Sequence, residues 1–257
     1  MTGMRALLVL LSALAWPIAP AAARDCVVLL HGLARSDASL LVMEEALALE
    51  GYRVVNTGYD STGEGIEALA ARTLPPAVAA CAEAPRTHFV THSMGGILLR
   101  VWARDHALPP GRTVMLAPPN QGSELVDALE DIPPFDWVNG PAGRELTTDG
   151  PVRALGPVWA GVGVIAGDRS LSPVYSAILP GPDDGKVTVA STRVEGMADH
   201  LVLPVTHTFL MNAPVVIVET LNFLREGRFD PEMGIADAVG ELLPDALPAA
   251  VGGLLQD

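Results

Sequence analysis

Short, nearly unbroken apolar runs alternate along this chain with longer stretches whose apolar residues recur at helical spacing. Val27–Leu30, Thr113–Leu116 and Val162–Ala166 read as strands, with apolar residues crowded as expected of strands buried on both faces. Ala38–Glu50 reads as a helix, with Asp37 as its N-cap and Gly51 as its stop. Tyr52–Asn56 follows as a strand, and Glu64–Thr73 as a helix that Pro75-Pro76 should break or restart. His88–Thr91 is the next strand, followed by a helix over Met94–His106 that Pro109-Pro110 closes. Val187–Ala190 reads as a short extended piece, Leu201–Val205 as the last core strand, and Asn212–Arg225 as the closing helix. This βαβα alternation predicts a three-layer α/β fold: a compact central parallel sheet of about six strands flanked by helices.

Three stretches break the rhythm. From about Glu124 to Pro157 the chain is turn-rich, with Phe135 and Trp137 among prolines and glycines, and it reads as a small cap or lid over one sheet edge. Residues 229–257 are rich in Gly, Ala and Leu with acidic punctuation and carry no chemistry; a loose C-terminal helix fits them. Residues 1–23 read as a secretory signal: Arg5 in the n-region, an apolar core from Ala6 to Trp16, and Ala21-Ala22-Ala23 as the cleavage site before Arg24. That core is shorter than the ~20 residues a membrane span needs. A lipobox is also a poor fit, because Arg24 and Asp25 put charge before Cys26. The mature domain is therefore residues 24–257, secreted and placed in the periplasm, with no membrane span after cleavage.

A formal net charge of −14 argues against nucleic acid as a partner. Cys26 and Cys81 are the only cysteines, each just upstream of a predicted strand. If those strands are neighbours, both cysteines share the N-terminal sheet edge. A bridge there would contribute about 4 kcal/mol by closing a long loop; two buried thiols are the alternative.

Candidate chemistry follows from the sheet. Ligands of a parallel sheet bind at the carboxyl ends of its strands, so a reacting residue should follow a strand rather than precede it. Ser93 does, in Phe89-Val90-Thr91-His92-Ser93-Met94-Gly95-Gly96, where small neighbours permit a tight strand–turn–helix and make Ser93 the candidate nucleophile. His31-Gly32-Leu33 follows the first strand, so the Leu33 and Met94 amides are candidate oxyanion donors. Of six histidines, His207 follows the last strand and is the candidate base. His200 lies on the wrong edge of that strand, His88 begins the elbow strand, His106 ends a helix, and His92 should point away from the nucleophile. The acid that orients the base is assigned to Asp184, with Asp183 and Asp168 as rivals and Asp60 as a turn residue. No metal-ligand spacing and no phosphate-binding glycine pattern follows a strand, so neither metal nor cofactor is expected.

These residues resemble the α/β-hydrolase superfamily, particularly its bacterial lipase and esterase branch. The resemblance rests on Leu29-Leu30-His31-Gly32-Leu33, Thr91-His92-Ser93-Met94-Gly95-Gly96, Pro119-Asn120-Gln121-Gly122-Ser123, Asp184-Gly185-Lys186-Val187 and Thr206-His207-Thr208, in family order. The fourth segment is similar to the D-G-x-V turn that carries the acid in lipases, which favours Asp184. Thr91 stands where the family has the first glycine of G-x-S-x-G, and the leading hairpin usual in the family is missing before Val27. The resemblance implies a Ser93–His207–Asp184 triad acting on a small acyl-ester or lipid-like substrate. The same triad serves thioesterases, amidases and peptidases, and the fold also serves non-catalytic envelope binding proteins.

Overall fold

The computed structural model describes residues 23–133 and 135–242. The predicted signal, save Ala23, and the end of the tail lie outside them. Six strands form one sheet: β1 (Cys26–Leu30), β2 (Arg53–Thr57), β3 (Thr87–His92), β4 (Thr113–Leu116), β5 (Val162–Gly167) and β6 (Asp199–Leu203). Their order is β2-β1-β3-β4-β5-β6 and every pairing is parallel, as the alternation predicts. The helices are α1 (Leu41–Leu49), α2 (Ile66–Ala79), α3 (Met94–Asp105), α4 (Glu124–Leu129), α5 (Phe135–Arg144), α6 (Pro173–Ser176), α7 (Pro214–Glu226) and α8 (Ile235–Leu242).

Strand alternation divides the core into two layers. Val27, Leu29, Val90 and Ile165 face α1 and α7, where Met43, Leu47, Val216 and Phe223 meet them; Ala238 of α8 joins the same layer. Val28, Leu30 and Phe89 face α2 and α3, against Leu69, Leu74, Ile97 and Leu98. Central β1, β3, β4 and β5 are buried throughout, whereas edge strands β2 and β6 are partly exposed. Burying one such side chain contributes about 1.5–3 kcal/mol. The double-sided burial explains why the inner strands read as apolar runs.

Several local expectations fail for physical reasons. α2 runs straight through Pro75 and Pro76. Its buried stripe is Ile66, Leu69, Ala70, Thr73, Leu74 and Ala77, so both prolines sit on the solvent side with Ala71 and Arg72, whose freed carbonyls face water. Asp37 is not an N-cap: a 3-10 turn over Asp37–Leu40 precedes α1, flanked by Ser36 without a side-chain cap. Val187–Ala190 forms no strand; only an isolated antiparallel bridge joins Asp183 and Thr188. β6 begins at Asp199, so His200 lies within it. The turn-rich stretch after Ser123 contains two helices, α4 and α5, the second kinked at Gly140.

Cys26 and Cys81 are disulfide-bonded, with Cα atoms 5.7 Å apart. Cys26 opens β1 and pairs in register with Thr87 of β3, so the bridge lies at the N-terminal sheet edge. No helix among the described residues is long and apolar enough to cross a membrane.

Candidate active site

Ser93 sits between the end of β3 and the start of α3 with φ 53° and ψ −125°. Non-glycine residues rarely hold a positive φ, and such strain gathers at functional sites. The surroundings enforce it. The Ser93 amide donates to the Leu116 carbonyl at 2.8 Å, and the Ser93 carbonyl accepts from Gly96 at 3.0 Å. A side chain at Gly95 would place a Cβ 2.5 Å from the Leu30 carbonyl oxygen, so only glycine lets α3 start against the end of β1. Thr91, in the place of the family's first glycine, is accommodated because its hydroxyl faces Gly96.

His207 lies on the loop after β6, and its amide donates to the Asp184 carbonyl at 2.9 Å. Its Nδ1 is 2.7 Å from Asp184 Oδ2, and its Nε2 is 3.1 Å from Ser93 Oγ. The other Asp184 oxygen, Oδ1, accepts from the backbone of Lys186 at 3.0 Å and Val187 at 2.8 Å. All three side chains are buried. The carboxylate accepts from Nδ1–H, which leaves Nε2 free to accept the serine proton.

The rivals are engaged elsewhere. Asp183 Oδ1 accepts from the Ser176 hydroxyl and the Gly185 amide. Asp168 pairs with Arg169 on the surface, and Asp60 accepts from Thr62. His200 meets the Thr192 hydroxyl, and burial above all lowers its pKa to about 4. His88 accepts from the Arg112 amide, and the His106 ring stacks on Trp102.

The loop after β1 packs against the elbow: a Cβ on Gly32 would lie 3.0 Å from Ser93 Cβ. Leu33 follows and lines the cavity beside Ser93, while Met94 opens α3, where amides lack helical partners. The His31 ring stacks on Tyr59 at 4.0 Å, and the Tyr59 hydroxyl donates to the His31 carbonyl. His31 Nδ1 donates to the Gly32 carbonyl and Nε2 accepts from the Tyr59 amide, which fixes one neutral tautomer. Burial, the largest influence, lowers its pKa accordingly.

His92 departs from expectation. Its Nε2 donates to the His207 carbonyl at 3.1 Å, and the two rings lie 4.8 Å apart. Strand alternation predicts His92 turned away from Ser93, yet its side chain lines the same cavity as Ser93, where the loop after β6 brings His207 against it. Full burial, then the His207 charge, push the His92 pKa well below that of a free imidazole, so it stays neutral.

No family model matches the chain, and no curated protein matches it in sequence. Solved structures do. Lipase BlEst2 of Bacillus licheniformis in its mature form aligns with a TM-score of 0.62 at 19% identity, over 80% of this chain and 94% of that one. A structure of the metagenome-derived lipolytic enzymes LipS and LipT aligns at 0.58 and 19% identity, over 79% and 94%. Phospholipase PlaB from Legionella pneumophila aligns at 0.61 and 15% identity, over 87% of this chain and 63% of that longer one. The chain has the lipase-like α/β-hydrolase fold.

Within this α/β-hydrolase fold, a cavity of about 210 Å³ opens beside Ser93 and His207. One wall is apolar, from Leu125, Val126 and Leu129 of α4 and Phe135 and Val138 of α5. Phe135 therefore faces the site, whereas Trp137 is 88% exposed and lies outside the cavity lining. Buried Arg100 anchors this wall: Nη1 donates to the backbone and side-chain oxygens of Asn120, and Nη2 to the Gly156 carbonyl at 2.7 Å. Burial lowers its pKa to about 10, still charged at neutral pH. Glu145 Oε2 accepts from the Ile66 amide at 2.9 Å, tying the segment after α5 to the start of α2. Among the described residues no cluster of His, Cys, Asp and Glu could hold a metal.

Proposed function

We propose that the protein is a secreted serine hydrolase that cleaves carboxylic esters through Ser93, His207 and Asp184. The observation that carries this reading is the continuous hydrogen-bonded series from Asp184 through His207 to Ser93, with Ser93 held at positive φ.

Ser93 Oγ attacks the acyl carbonyl as its proton passes to His207 Nε2, and Asp184 stabilises the imidazolium. The Leu33 and Met94 amides receive the developing oxyanion, a contribution of about 2.7–4 kcal/mol per donor. Collapse of the tetrahedral intermediate expels the alcohol, which takes the proton from His207. Water, deprotonated by His207, then releases the acyl group from Ser93. The apolar α4–α5 wall accepts the acyl chain. Its cavity falls below the roughly 300–1,000 Å³ of drug-sized sites, which favours short to medium chains. Lipolytic enzymes among the structural neighbours support esters over amides. Secretion rests on the leader, with residues 124–157 read as a short cap.

A fluorophosphonate probe tests the reading. It should label folded wild type and His200→Ala, and fail on Ser93→Ala and His207→Ala. Absence of labelling on folded wild type refutes the nucleophile. A panel of 4-nitrophenyl esters should then peak at short to medium acyl length, and mass analysis of the exported protein should give Arg24 as its first residue.

A further inference from the structure

The cavity beside Ser93 is lined by two cations, Arg35 and Lys186, and by no aspartate or glutamate among the described residues. On a chain of net charge −14 this is against the general trend, and Lys186 is the only lysine in the sequence. Among the described residues neither cation has a carboxylate oxygen within 4.0 Å, although seven arginine–carboxylate pairs form elsewhere. The acid acting on Lys186 is Asp184, whose oxygens are already held by His207 and two backbone amides.

Both cations are positioned through the reacting residues' own loops. Arg35 follows Leu33 by two positions, and its Nη2 donates to the Thr208 carbonyl at 3.1 Å, next to His207. Lys186 follows Asp184 by two positions; its amide donates to Asp184 Oδ1, and its carbonyl accepts from the Ser123 hydroxyl at 3.4 Å. Both cations line this cavity without a counter-ion among the described residues, Arg35 half-buried and Lys186 exposed at its edge. Desolvation first and the Arg35 charge second lower the Lys186 pKa, while Asp184 opposes the shift. The charge of a bound anion would offset both effects.

We propose that Arg35 and Lys186 form an anion subsite beside the nucleophile, so that the preferred substrate is an ester with an apolar acyl chain and a carboxylate or phosphate on its alcohol part. The assignment to the alcohol part follows from the walls: the acyl chain lies against α4 and α5, and the cations come from two other loops. This inference rests on Ser93 being the nucleophile.

The test compares 4-butyryloxybenzoate with 4-butyryloxybenzamide, each rate divided by that of hydroxide. The two share acyl chain and ring and differ in charge. Wild type should favour the carboxylate by roughly tenfold in kcat/KM, the scale of one charge-assisted contact. Lys186→Gln and Arg35→Gln should each collapse that ratio through KM, Lys186→Glu should invert it, and Lys186→Arg should preserve it. A second arm compares 1-butyrylglycerol 3-phosphate with 1-butyrylglycerol, and phosphatidylglycerol vesicles with phosphatidylcholine vesicles. Preference for the soluble anionic esters alone identifies a small anionic ester, and preference confined to phosphatidylglycerol identifies a lipid headgroup. A wild-type ratio near one in every pair, or ratios unmoved by both glutamine variants, overturns the subsite. Fluorophosphonate labelling in each protein separates that outcome from failure of the serine reading, because only the latter abolishes labelling of wild type.

Discussion

Replacing Asp184 by asparagine should disable the protein through one proton in the wrong place. Asp184 Oδ1 is held by two backbone donors, the Lys186 and Val187 amides, at 3.0 and 2.8 Å. Neither can bond an amide NH₂. The introduced asparagine must therefore keep its carbonyl oxygen on those amides and turn its NH₂ towards His207 Nδ1, which lies 2.7 Å from the present Oδ2. Two donors cannot face each other in a buried site, so His207 shifts its proton to Nε2. Nε2 then presents a hydrogen to Ser93 Oγ and can no longer accept one. We expect kcat to fall by about 10⁴-fold at neutral pH, some 5.5 kcal/mol of transition-state stabilisation, with KM changed far less. Steady-state kinetics on 4-nitrophenyl butyrate measure the loss, and ¹⁵N NMR of the imidazole reads the tautomer. Asp183→Asn is the control: it touches Ser176 and Gly185, not His207, and should keep kcat within about threefold because its effect is structural. Retention of more than a tenth of wild-type kcat in Asp184→Asn, or an Nδ1–H tautomer in that variant, refutes the reasoning.

Removing the Cys26–Cys81 bridge should cost about 2–4 kcal/mol in urea unfolding and leave kcat unchanged, since it clamps the sheet edge away from Ser93. His92→Ala should lower kcat by about 10–100-fold with little change in KM by freeing the His207 carbonyl, and His92→Gln, whose amide can still donate, should recover most of the loss. Acid should destabilise the fold through buried and half-buried neutral histidines. His88, His92 and His200 all have pKa values lowered from 6.5, first by burial, His200 to about 4. Below pH 6.5 the unfolded chain binds protons that the native chain refuses, so stability present above that pH is lost as pH falls. Urea midpoints from about pH 8 to 4 should drop below pH 6.5, and the drop should shrink in His200→Gln; a flat profile contradicts the linkage.

The fold was legible because its signals are redundant. Each inner strand is buried on both faces and so shows as an apolar run, and helices of nine to fourteen residues packed on the sheet repeat the signal in α1, α2, α3 and α7. Where a single signal was read alone, it misled. Pro75-Pro76 has the local character of a helix break, yet Leu69, Leu74 and Ala77 bury the opposite face of α2 and hold it intact. Val187–Ala190 has strand-like composition but no neighbouring strand to pair with, because the turn from Asp184 to Val187 is used to hold a carboxylate.

The site divides the same way. Ser93 and His207 each follow a strand, so strand-edge logic brings them to one side, whereas Asp184 stood out from Asp183 and Asp168 only through its resemblance to the D-G-x-V turn. His92, Tyr59 and Arg35 could not be found so, because their positions depend on loops that cross each other far apart in sequence. His92 meets His207 across 115 positions, and Arg35 meets Thr208 across 173. Alternation along β3 did not foresee that His92 lines the cavity of Ser93, because what meets its ring is decided by the loop after β6. One residue carried a signal that composition alone could have exposed. Lys186 is a lone lysine in a chain that otherwise uses arginine, within two positions of the candidate acid. An arginine there would bring a fork that seeks paired acceptors, whereas lysine offers a compact point charge whose proton affinity responds to its surroundings. Beside a reacting carbonyl, that choice suits an anion held without competition for Asp184, and the matched ester pair distinguishes it from chance.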